Sequence, residues 1–156
     1  MSEFERQSRR GYLGLTGSAL AVAVAGCTSS GGSSDGAGNE PQELRREDWE
    51  DVSEIELQGA LNGFVGVTPD HIEGLRNPGL LLFEGATYDI TWENADGAAH
   101  NLAIRSDDGS LVDDYETSFV RRRGESATLT VEATDAMHKY VCDPHPRTMT
   151  GYIVTE

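Results

Sequence analysis

The sequence predicts an all-β fold: a two-layer sandwich with antiparallel, Greek-key-like connections, behind a disordered N-terminal leader and tether. Three observations carry this expectation. In the second half of the chain apolar residues recur at every second position, the period of a strand rather than a helix. Gly, Asn and Asp cluster between these runs, at "ENADGAA", "SDDGS" and "RRRGES". No long amphipathic helix and no internal repeat interrupts the pattern. Short strands separated by turn signals are the signature of a sandwich.

The chain has 156 residues, enough for one domain and an extension. It opens with the extension. Ser8-Arg9-Arg10-Gly11-Tyr12-Leu13 has the form of a twin-arginine export signal. The apolar run from Gly11 to Gly26 is short of the ~20 residues that span a bilayer. It ends in Val24-Ala25-Gly26-Cys27, small residues before a cysteine, which resembles a lipobox. Residues 1–26 are therefore expected to be a removable lipoprotein signal, and Cys27 the lipid attachment point. An ordinary signal peptide with an incidental Cys27 is the plainer alternative. Residues 27–46, Ser- and Gly-rich and without apolar period, are expected to form a flexible tether. The domain is expected to occupy 47–156.

Within it, "TPDHIEGL" is read as holding one helical turn, and "GLLLF" as a buried strand. In "TYDITWEN", Tyr88, Ile90 and Trp92 share one face. In "AHNLAIRS", His100, Leu102 and Ile104 do the same. In "SATLTVEA" the inward set is Ala127, Leu129 and Val131. "HKYVC" is read as a strand ending at Cys142, with Tyr140 on the same face, and "MTGYIVTE" as the final strand. Trp92 and Tyr140 are expected in the core. His71 and His138 are expected to be exposed.

Charge narrows the function. There are 27 Asp and Glu against 12 Lys and Arg, a net −15, and Lys139 is the only lysine. Loss of the leader leaves 25 acidic against 9 basic side chains. Nucleic acid needs a basic face and is excluded as a partner. Excess carboxylate with almost no lysine fits a protein kept soluble in high salt. Arg121 to Arg123 are read as a solvated turn, with a docking patch for an acidic partner as the sharper reading.

With Cys27 lipidated, Cys142 is the one free thiol, and an exported thiol is liable to oxidation unless buried or metal-bound. His145 follows three residues later and Met149 four after that. His100 lies on the inward face of its strand, beside a turn. Two His, one Cys and a weak axial Met make the ligand set of a type 1 copper centre. A structural zinc site would leave Met149 unexplained. A c-type haem needs a second Cys before the His. A Cys–His nucleophile lacks a third group to orient its base. With only His71 and His138 left over, a multicopper enzyme has no ligands.

The stretches "EGATYDITWENADGAAHNLAI" and "YVCDPHPRTMTGYIV" resemble the cupredoxins, and within them the plastocyanin-like halocyanins of salt-loving archaea. The resemblance covers Glu54 to Glu156. It implies that His100, Cys142, His145 and Met149 hold one copper ion. It further implies that Asn101 ties the ligand loops together, and that the His145 ring edge, flanked by Pro144 and Pro146, is the electron's exit. Two departures stand out. Three residues rather than four separate His145 from Met149, and Val141 replaces the aromatic that commonly precedes the Cys. The expected function is single-electron transfer between redox partner proteins at the outer cell surface, by a monomer lipid-anchored to the membrane and not an enzyme. Non-redox copper delivery is the alternative. A metal-free adhesion sandwich is a third reading.

Overall fold

The computed structural model describes residues 43–156. The expectations for the signal segment, Cys27 and most of the tether lie outside the described residues. At the boundary, Leu44 packs against the core, Trp49 is buried, and Arg46 pairs with Glu156 at 2.6 Å. Leu44 and Arg46, at the end of the segment expected to be tether, thus already touch the body.

Among the described residues nine strands form two sheets: β1 (Glu54–Ala60), β2 (Gly63–Thr68), β3 (Leu80–Leu82), β4 (Thr87–Asn94), β5 (Ala103–Arg105), β6 (Leu111–Glu116), β7 (Ser126–Glu132), β8 (Lys139–Val141) and β9 (Thr150–Thr155). One sheet has the order β2-β1-β4-β7, the other β3-β9-β8-β5-β6. The only described helices are single 3-10 turns, Arg46–Asp48 and Asp70–Ile72; the second lies in "TPDHIEGL". Tyr88, Ile90 and Trp92 point inward, as do Leu129 and Val131.

Three strands, β1, β2 and β6, were not singled out by the alternation. The expectation of antiparallel pairing also needs correcting. β1 runs parallel to β4, and β3 parallel to β9. Each parallel partner arrives by a long crossover rather than a hairpin, so neither pairing leaves a local turn signal.

Between the sheets, Phe64 lies 6.3 Å from Trp92 and 5.5 Å from Tyr140, ring centre to ring centre. This aromatic layer bridges the sandwich. The Tyr140 hydroxyl donates to the Pro78 carbonyl at 2.7 Å, so its one polar atom is satisfied in the interior. A Cβ on Gly151 would collide with the Tyr140 ring. The glycine is required by close approach, not by its backbone angles. His71 departs from expectation: it is only partly exposed, and its ring meets Trp49 edge-on at 4.7 Å. His138 is exposed.

Candidate metal centre

The loops between β1 and β2, β4 and β5, β6 and β7, and β8 and β9 gather at one end of the sandwich. The first ligand loop is set by Asn94, fully buried at the end of β4. Its side-chain oxygen accepts from the Gly97 N–H at 2.7 Å and the Asp96 N–H at 3.2 Å. Its amide donates to the carbonyls of Ala98 and Val120 at 2.7 and 3.1 Å. Gly97 turns at φ +84°, a conformation that disfavours L side chains. The chain then delivers His100, held by paired backbone hydrogen bonds with Val120 of 3.0 and 2.9 Å.

The second loop is a closed turn. The His145 N–H donates to the Cys142 carbonyl at 3.0 Å, the Met149 N–H to the His145 carbonyl at 2.9 Å, and the Cys142 N–H to the Met149 carbonyl at 2.9 Å. The Asn77 amide braces it from outside, donating to the Thr148 carbonyl at 2.8 Å.

These loops bring His100, Cys142 and His145 together. The Cys142 Sγ lies 3.5 Å from Nδ1 of His100 and 3.6 Å from Nδ1 of His145. The two Nδ1 atoms are 3.1 Å apart. His100 and Cys142 are fully buried, whereas His145 is partly exposed. Met149 is also fully buried, its methyl beside Gly59 of β1. Pro144 is exposed next to His145.

Burial pushes the Cys142 thiol above its ordinary pKa. The backbone N–H groups of Asn101 and His145 oppose that shift, while Asp143 and Asp96 add to it. A buried thiol facing two ring nitrogens from the same atom of each imidazole is a soft, convergent donor set. It fits copper, which accepts thiolate and imidazole together. A cation there would hold the thiolate form that burial alone disfavours.

Partners one step further out fix the rings. Nε2 of His100 meets Asp96 Oδ1 at 2.9 Å. Burial works to raise the Asp96 pKa, but hydrogen bonds from Ala98, His100 and Leu61 outweigh it and hold it below the usual value. Asn101 and Asp143 form a two-bond clamp between the loops, with both bonds at 2.8 Å. The second carboxylate oxygen of Asp143 receives the Arg105 guanidinium at 2.6 Å. Sequence reading identified Asn101 but missed Asn94, Asp96, Arg105 and Asp143. "ENADG" signalled a turn without revealing that its Asp would face a buried His.

Residues 84–156 match a family described as copper binding proteins, plastocyanin/azurin family. The match spans β4 to β9 and so includes all three clustered residues. No relative is found among curated proteins. Among solved structures, reduced rusticyanin is similar at 23% identity over 66% of this chain and 78% of that one, TM-score 0.48. A reduced Cu(I) amicyanin variant is similar at 21% identity over 65% and 81%, TM-score 0.42.

Proposed function

We infer that this cupredoxin domain carries single electrons between redox proteins. The observation that carries the reading is the buried Cys142 thiol facing Nδ1 of both His100 and His145, with only His145 reaching the surface. When bound, copper supplies a one-electron centre that alternates between Cu(II) and Cu(I).

The chain's own residues do the rest. Cys142 provides a strongly donating thiolate, and the two imidazoles suit both oxidation states. Met149 would offer a soft, weakly binding thioether, which would tune the potential. The Asn101–Asp143 clamp and the Cys142–Met149 backbone bond keep the donors in place whichever charge state is present. That rigidity limits rearrangement when an electron arrives. Burial of His100 and Cys142 excludes water, leaving the His145 edge as the short path outward. A shielded thiol favours electron transfer over copper delivery, which needs an open, exchanging site.

The reading extends to the chain's N-terminus. Export through the twin-arginine leader, lipidation of Cys27 and a swinging tether would hold a monomeric domain at the outer membrane surface. Local concentration near its partners would rise without added contacts. The acidic composition suits a halocyanin-like protein of saline surroundings.

The test is visible absorption of the full chain with one equivalent of Cu(II), beside Cys142→Ser. An intense thiolate-to-copper band, absent in the variant and reversibly bleached by reductant, is expected. A colourless protein would overturn the reading, and copper loss on each reduction would turn it toward delivery.

A further inference from the structure

The cluster opens onto a surface whose charge is opposite to that of the protein as a whole. The loops at this end carry Arg121, Arg122, Arg123 and Arg147, all exposed. Arg76 joins them: its stem lies against Gly63, the first residue of β2, and the next residue, Asn77, holds the Thr148 carbonyl. The Arg121 guanidinium sits over the exposed Phe119 ring at 5.5 Å, and Phe119 adjoins the Val120 that pairs with His100. Arg123 is close behind Gly97 of the first ligand loop.

The carboxylates of these same loops are already engaged. Asp96 takes His100 and two backbone N–H groups. Asp143 takes Asn101 and Arg105, and Glu125 takes Arg122 at 3.3 Å. Arg76, Arg121, Arg123 and Arg147 make no ion pair among the described residues. Within these loops the charge left without an ion pair is therefore positive, with Glu93 and Glu116 the exposed carboxylates at the adjoining strand ends. Within the rim, Leu61 and Phe119 are about half exposed, at 52% and 45%.

We propose that this arginine rim docks an electron-transfer protein whose own contact face is rich in carboxylates, orienting it on His145. The proposal rests on the electron-carrier reading above. Distance separates the two fields. A strand the length of β4 spans about 25 Å, so carboxylates at the far end lie well beyond the Debye length of ~10 Å at 0.1 M salt. A partner at the His145 face meets the rim rather than the net charge. Arginine also suits a salty medium, because its forked, bidentate contact with a carboxylate acts at hydrogen-bond range and survives screening better than a long-range field.

Two measurements on the full chain test this. The first uses the copper-loaded protein, reduced and then oxidised by ferricyanide, a small anion. Its second-order rate should fall several-fold as salt rises from about 0.1 to 0.5 M, the sign of attraction. In Arg121→Glu/Arg123→Glu/Arg147→Glu the rate should rise instead. The second titrates redox-inert hexacyanocobaltate(III) into the metal-free protein and follows backbone amides by NMR. Shifts confined to 76–77, 119–123 and 145–149 are expected, and circular dichroism confirms that the variant folds. A wild-type rate that climbs with salt, or shifts scattered or absent, would overturn the docking proposal. Failure to take copper or to bleach reversibly would instead overturn the electron-carrier reading, and the metal-free titration still reads the surface.

Discussion

The two sheets are built on different sequence rules. In the β2-β1-β4-β7 sheet, β1, β4 and β7 alternate buried and exposed residues almost without a break. One face is core and the other is water, so burial repeats at every second residue. In the other sheet, β3, β5 and β8 are three residues each and nearly all buried. Ala103 and Val141 pair with each other and are hidden although they sit beside inward-facing neighbours. Periodicity says little there. Yet this second sheet carries Cys142, His145 and Met149 on the β8–β9 connection. The regular sheet acts as a scaffold, and the short buried sheet holds the chemistry rigidly.

Perturbing each sheet sharpens that contrast. The largest effect is expected from Cys142→Ser: complete loss of the visible thiolate-to-copper band, with far-UV circular dichroism retained. Next, saturating copper should stabilise the fold, by about 4 kcal/mol at a thousandfold excess over Kd. A chelator should therefore lower Tm, and in Cys142→Ser the difference should shrink. Gly151→Ala forces a methyl group into a ring pinned by Pro78, and should cost about 3 kcal/mol in urea unfolding. Asn101→Ala removes two loop-bridging hydrogen bonds, about 2 kcal/mol together, and should broaden the visible band as well. In the regular sheet, the exposed Thr91–Thr128 hydroxyl pair at 2.8 Å should matter least: Thr128→Ala costs ~0.5 kcal/mol and leaves the spectrum unchanged. Equal spectral sensitivity in both sheets would dissolve the distinction.

Legibility followed that division only in part. β4, β7 and β9 were plain from alternation or an apolar run, and "HKYVC" from its terminal thiol. β1 and β2 escaped notice because glycines interrupt their apolar sets: Gly59 in one, Gly63 and Gly66 in the other. β6 carries Asp113 and Asp114, both at positive φ, which reads as a turn rather than a strand. At the site, donor chemistry and spacing pointed to Cys142 and His145, which the structure brings together with His100, because so few soft side chains exist in the chain; Met149 is buried beside Gly59.

The sequence by itself determined the β class, the supply of soft side chains and the acidity, since each is a property of composition or of order along the chain. Tertiary structure alone decided the parallel pairings, the meeting of His100 with a loop 42 residues away, and the partners of Asp96 and Asp143. It also decided that exposed arginines of an acidic protein collect on the loops at the end of the sandwich that carries His145. All of these depend on which distant segments share a sheet end, and no local pattern encodes that; it is set by the packing of one sheet on the other.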